Sequence, residues 1–232
     1  MGVTYNNRIV TDGLVLCLDA ASKRSYPGTG TAWSDLAGNN NGTLTNGPTF
    51  SSDNGGSFTF DGTNDNLTIP IIQSLPDGTE DRTIQFWTKD NSTSDYGVLA
   101  EITGYGRDSA GAGRLFMCSV GGSSFANRKM VVWTHSRNAI SPFYLIRNEW
   151  TNFAVTVSPG TTYPLIRIYK NAVASTGSEH NINTINDVPY AIAGRQSFSY
   201  YNGNVSHLTV YNRALSDDEI RRNYLSTKER YL

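Results

Sequence analysis

Breaking a glycosidic bond takes two carboxylates flanking the linkage, and on a β-strand two acids share a face when they lie two residues apart. The six glutamates, Glu80, Glu101, Glu149, Glu179, Glu219 and Glu229, are followed at that spacing by Arg82, Thr103, Thr151, Asn181, Arg221 and Tyr231. None has an acid there. The adjacent Glu80 and Asp81 follow a Pro-Asp-Gly turn and read as solvated loop charges. His135, His180 and His207 stand far apart, without the His-x-x-x-His or Cys-x-x-Cys spacing of a zinc site. His207 is expected half-exposed on a sheet face. No Gly-x-Ser-x-Gly elbow is present. The glycine-rich GYGRDSAGAG reads as a loop, because it is not set between a strand and a helix as a phosphate cradle must be. The expectation is a protein without catalytic activity.

Recognition needs different residues. A saccharide is gripped by an aromatic ring against the apolar face of the pyranose, with amides and carboxylates reading its hydroxyls. Such side chains gather in the segment QSFSYYN, which offers Phe198, Tyr200, Tyr201 and Asn202. Two other long loops add Tyr96, Tyr105, Arg107 and Asp108. A competing reading stays open, in which these aromatics pack on neighbouring subunits or cover the ends of the fold.

The elements that must position them follow from composition and period. The chain has 232 residues, enough to bury roughly 70% of the surface exposed on unfolding. Nineteen Lys and Arg against twenty Asp and Glu give a net charge of -1, so the basic excess needed on a phosphate backbone is lacking and no nucleic-acid partner is expected. The opening MGVTYNNRIVTDG has no basic stretch followed by an apolar run. Apolar runs elsewhere reach about five residues, against roughly 20 for a bilayer span, so neither an export signal nor a membrane segment is expected. Cys17 and Cys118 lie in the strand-like runs LVLCLDA and RLFMCSV and read as buried thiols.

GLVLCLDA is a continuous apolar run, read as a central strand buried on both faces. FTFDGTNDNLTIP alternates, turns at Asp61-Gly62 and resumes, the pattern of a hairpin. RTIQFWTK, YGVLAEI, RLFMCSV, KMVVWTH, EWTNFAVTV, PLIRIYKN, PYAIAG and GNVSHLTVYN are strands by the same period of two. About a dozen short strands bounded by turn residues, with no helices between them, predict an all-β, two-sheet antiparallel sandwich in one domain. The single helix is predicted near the end. There Ser216 and Glu219 form a capping box flanked by Leu215 and Ile220, with Ile220, Tyr224 and Leu225 as the buried stripe. The tail STKERYL reads as polar and exposed. The expected organisation is an N-terminal arm over residues 1–12, one sandwich domain over 13–225 and a C-terminal tail over 226–232.

GLVLCLDA, WSDLAGNNNGTL, FTFDGTNDNLTIP, WTNFAVTV with RIYKNAVA, and IAGR followed by YNGNVSHLTVYNRALSDDEI resemble, in this order, the concanavalin A-like lectin/glucanase superfamily, in particular its laminin-G-like jelly rolls. The resemblance runs from about residue 13 to residue 225. It implies a concanavalin A-like jelly roll. The Glu-x-Asp-x-Glu motif of the hydrolytic branch is absent. The resemblance also implies a possible calcium site at Asp35, Asp61 and Asp65, with no other cofactor. The closing strand, however, reads Gly203-Asn204-Val205-Ser206-His207-Leu208 where the family often has an acidic pair, and Asp61 and Asp65 serve equally as turn formers. RIVTDGLVLCLDA, SYPGTG, GTLTNGPTFSSDNGG and YNRALSDDEIRRNY further resemble stand-alone domains of tailed-phage structural proteins. What this implies is a virion protein at the phage particle surface, a decoration or fibre component. It would contact other virion proteins and itself, and adhere to host-surface glycans. A soluble lectin outside a virion and a divergent glycosidase are the alternatives.

Overall fold

In the computed structural model, residues 8–96, 99–106, 115–121, 127–134, 138–194 and 199–232 are described. The first sheet holds β1 (Leu14–Asp19), β4 (Thr49–Ser51), β5 (Ser57–Asp61), β7 (Arg82–Asp90), β12 (Trp150–Ser158), β13 (Leu165–Lys170), β14 (Val173–Ala174), β15 (Ser178–Glu179) and β18 (Asn202–Tyr211). The second holds β2 (Ala32–Trp33), β3 (Gly42–Thr45), β6 (Asn66–Ile69), β8 (Ala100–Gly106), β9 (Leu115–Val120), β10 (Lys129–Trp133), β11 (Asn138–Tyr144), β16 (Tyr190–Ile192) and β17 (Ser199–Tyr200). Pairing is antiparallel except between β17 and β8. This is the all-β two-sheet sandwich that the alternation predicts, in the jelly-roll form that the resemblance implies.

The period of two explains the core. Phe153, Val155 and Val157 of β12 and Ile84 and Phe86 of β7 turn inward and meet Ile102, Phe116, Cys118 and Val132 from the second sheet in one fully buried cluster. Each such side chain gains about 1.5–3 kcal/mol on leaving water. Both cysteines are buried free thiols, and desolvation raises that of Cys17 to about 12.

Three elements differ from expectation. β1 is not central, since it pairs with β18 alone. Its other edge is closed by a loop: Asp35 Oδ1 accepts the Cys17 N–H at 2.9 Å, and the Leu36 N–H donates to the Cys17 carbonyl at 2.8 Å. β5 and β6 do not form a hairpin. The turn after Asp61 carries the chain from one sheet to the other, so that Phe58 and Phe60 enter the core from one layer and Leu67 and Ile69 from the opposite one.

The third difference lies at the termini. Helix α1 (Asp217–Thr227) starts at Ser216 with the expected capping box. Its buried residues are Ile220, Asn223 and Thr227, with Tyr224 and Leu225 only half-buried. The helix lies on the outer face of the first sheet, where Gln85 Nε2 donates to Asn152 Oδ1 at 2.8 Å and Asn223 Nδ2 reaches Gln85 Oε1 at 3.1 Å. The N-terminal arm joins this network at Val10, whose N–H donates to Asn223 Oδ1 at 2.8 Å. The tail is not exposed as a whole, because Tyr231 stacks on Trp87 with ring centroids 4.2 Å apart and is buried.

Candidate functional site

Gathering of distant residues begins at the turn between β5 and β6. Asp61 Oδ1 accepts the Thr63 N–H at 2.7 Å and the Asn64 N–H at 3.4 Å, while Asp65 Oδ2 accepts the Asp61 N–H at 3.2 Å. The donation from Thr63 is the main reason the exposed Asp61 carboxyl titrates below its ordinary value. Asp65 is shifted upward, first by burial and then by the charge of Asp61. Gly62, at φ +75°, passes so close to Asn202 that a Cβ would stand 2.8 Å from the Asn202 Cβ. A side chain here would be both strained and crowded. The turn is thereby seated against the start of β18.

The second wall is the segment after β7. Asp90 Oδ1 accepts the Ser92 N–H at 2.9 Å, and the Tyr96 hydroxyl lies 3.1 Å from the same oxygen. That hydroxyl also accepts the Asn202 N–H at 3.1 Å, and the Tyr96 ring stacks on Tyr201 at 6.4 Å. Burial is the first cause of the upward shift of the Tyr96 phenol. Asp90 Oδ2 is paired with Arg128, which in turn donates to Ser92 Oγ at 3.1 Å. Farther out, Arg147 Nη2 meets Asp95 Oδ1 at 2.7 Å. Tyr200, half-buried on β17, supplies the third wall.

These segments enclose a cavity of about 280 Å³ lined by Asp61, Gly62, Ser92, Thr93, Ser94, Asp95, Tyr96, Tyr200 and Asn202. Four residues singled out in the sequence therefore meet: Tyr96, Tyr200, Asn202 and Asp61. Its chemistry is that of hydroxyls, an amide and carboxylates, with the half-buried rings of Tyr96 and Tyr200 in its walls, a set able to exchange hydrogen bonds with a polyol. Sequence reasoning missed Ser92, Asp95, Asp90, Arg128 and Arg147. The turn-like NSTSD offered a signal for the first two, whereas the pairing of Asp90 with Arg128 exists only once β7 and β10 are folded.

Two candidates need correction. Tyr105 is fully buried, accepting from Arg82 Nη1 at 2.8 Å and donating to the Pro76 carbonyl at 3.0 Å, with burial raising its phenol to about 12. Tyr201 is likewise buried, its hydroxyl 2.9 Å from Thr88 Oγ1. Both rings belong to the core, so neither offers a platform to a ligand. His207 is also buried rather than half-exposed: it sits opposite Asp19 in the β1–β18 register, and Arg230 from the tail bonds Asp19 at 2.8 Å beside it. Burial lowers its pKa. Arg107, Asp108 and Phe198 lie outside the described residues.

The carboxylates implied for calcium do not form one set. Asp35 Oδ1 accepts from Cys17 and Ala37, and its Oδ2 from Asn40, which commits it to the edge of β1. Asp61 and Asp65 share a different turn. Among the described residues no group of three or more His, Cys, Asp or Glu could hold a metal ion. No described helix is long and apolar enough to cross a membrane.

A laminin G family model, described as concanavalin A-like lectin/glucanases superfamily, matches residues 61–221. No curated protein sequence matches the chain. Among solved structures, the binding domain of Paraclostridial Mosquitocidal Protein 1 is similar at a TM-score of 0.69 and 16% identity, over 92% of this chain and 52% of that one. Domain 4 of AbnA, a GH43 extracellular arabinanase from Geobacillus stearothermophilus in complex with arabinotriose, is similar at 0.68 and 15%, over 91% of this chain and 98% of that one. A mutant of Trypanosoma rangeli sialidase displaying trans-sialidase activity is similar at 0.70 and 16%, over 97% of this chain. The chain spans about half the length of the mosquitocidal binding domain and 34% of the sialidase. At these identities the likeness is one of fold.

Proposed function

The chain belongs to the concanavalin A-like lectin/glucanases superfamily, and from that premise we propose that it is a non-enzymatic carbohydrate-binding module whose ligand sits in the pocket between Asp61, Tyr96, Tyr200 and Asn202. The observation that carries this reading is the convergence of those four side chains, with Ser92, Thr93 and Ser94, from three segments far apart in sequence. A ring of hydroxyl and amide groups beside two phenols suits a saccharide, which offers both a hydroxylated edge and an apolar face. The AbnA domain in complex with arabinotriose lends the reading support from a neighbour of the same fold.

Support for binding without turnover comes from how the acids near the pocket are used. Glycoside cleavage asks for two free carboxyl groups across the bond. Among the described residues lining or backing this pocket, Asp90 is committed to Arg128 and Asp95 to Arg147, leaving Asp61. The setting we propose is a phage particle surface, as a self-associating decoration or fibre component; the support for it is the resemblance of RIVTDGLVLCLDA, SYPGTG, GTLTNGPTFSSDNGG and YNRALSDDEIRRNY to tailed-phage structural proteins.

A glycan array probed with the isolated chain tests the module. Competable binding that falls at least tenfold in Tyr200→Ala is expected, and a blank array would overturn the reading. Release of reducing ends from a bound polysaccharide would make the chain an enzyme instead. Particle microscopy that finds the chain off the virion would remove the phage setting alone.

A further inference from the structure

The charges around the pocket are not equally matched. Asp95 is paired with Arg147 at 2.7 Å and lies 3.8 Å from Arg128. Asp90, behind the wall, is paired with Arg128. Asp61 meets no cationic side chain among the described residues; its hydrogen bonds come from the backbone of Thr63 and Asn64. Those donors favour the ionised form, so the carboxylate is charged at neutral pH. The remaining polar lining groups carry no charge, so among the described residues Asp61 is the one lining carboxylate without a paired cation, with Asp65 close behind it in the same turn.

We propose that Asp61 sets the charge selectivity of this site, favouring saccharides with a free amine over neutral ones and neutral ones over saccharides with a carboxylate. The inference rests on the saccharide reading of the pocket. Because Asp61 is exposed, its field acts mostly through water, and the expected discrimination is about fivefold per unit of ligand charge. Salt weakens it, since exposed charges are screened.

The test is calorimetric titration of the full chain with a hexose, the matching hexosamine and the matching hexuronic acid, in gluco and galacto series, at low and high salt. The hexosamine is expected to bind about fivefold more tightly than the hexose, and the hexuronate about fivefold more weakly. Both ratios should shrink in salt and approach one in Asp61→Asn. That variant keeps an Oδ1 acceptor for the turn. Arg147→Gln, which leaves Asp95 with Arg128 alone at 3.8 Å, should widen the spread. A hexuronate that binds as well as its hexose, or a ranking that survives Asp61→Asn, overturns the inference while leaving the saccharide reading intact. Binding by none of the sugars, with a blank array, removes both.

Discussion

On the outer face of the first sheet, Gln85, Asn152, Tyr211 and Asn223 spend their hydrogen bonds on one another and on the N-terminal arm, and Tyr231 closes the surface over Trp87. The pocket is also lined by polar side chains, but there Asp61, Thr93, Ser94 and Asp95 face water. The first region is a polar layer consumed in holding α1, the arm at Val10 and the C-terminal tail to the sheet. In the second, the consumed bonds lie one layer back, at Asp90, Arg128 and the Tyr96 hydroxyl. Polar density alone thus does not separate the two regions; what separates them is that at the pocket a braced rear layer stands behind side chains that face water.

The comparison breaks first at Asp90. Asp90→Ala leaves Arg128 without its buried partner and frees Ser92 and Tyr96, so about 3 kcal/mol of stability should be lost together with ligand binding. Urea unfolding read beside a titration checks it; a variant of normal stability that still binds would mean that the rear layer does not brace the pocket. On the other face, Asn223→Ala orphans groups on Gln85, Tyr211 and Val10 and should cost about 2 kcal/mol. Pocket affinity should survive there, and a parallel loss would show that the two regions are coupled.

At the front of the pocket, Tyr200→Ala should reverse the pattern. Affinity falls about tenfold, equivalent to about 1.4 kcal/mol, because a stacking surface is removed. The unfolding midpoint should hold, since the ring is only half-buried. A large drop in the midpoint would place Tyr200 with Tyr105 and Tyr201 among the structural rings.

Those three tyrosines also mark where the amino-acid pattern stops informing. Alternation in EWTNFAVTV identifies Phe153, Val155 and Val157 as inward-facing, because the side-chain period of a strand is geometric. The Ser216–Glu219 box was equally legible, being a local exchange of hydrogen bonds. Pairing partners are not local. FTFDGTNDNLTI predicts two strands and a turn, yet nothing within it states that its halves join different sheets. A tyrosine is ambiguous by chemistry: Tyr105 hides its hydroxyl against Arg82 and Pro76, Tyr96 shares its own with Asp90 and Asn202 at the pocket, and no neighbour in sequence tells them apart. For the pocket, the lining types were readable in part, while the ion pairs behind them required the folded sheets.

The smallest effect concerns the start of α1 and is a matter of pH. Glu219 is held by Arg213 through two hydrogen bonds of 2.9 and 2.6 Å and accepts from the Ser216 N–H, which lowers its carboxyl from 4.5 to about 2. A group depressed in the folded state contributes its full stability above its unfolded value and loses it as pH falls through the folded one. The contribution of Glu219 should therefore be intact above about pH 4.5 and decline between there and about pH 2. Asp61 and Glu179 are shifted the same way, and Asp65 and Asp81 oppositely, so the raw acid profile mixes several groups. Glu219→Gln isolates the term: it retains an oxygen for the Ser216 N–H but not the charge that Arg213 seeks. Subtracting its unfolding midpoints from those of the parent should leave a difference that is constant at neutral pH and vanishes in that acid window. A difference unchanged down to pH 2 would mean that the ion pair contributes nothing and that the cap alone anchors the start of the helix.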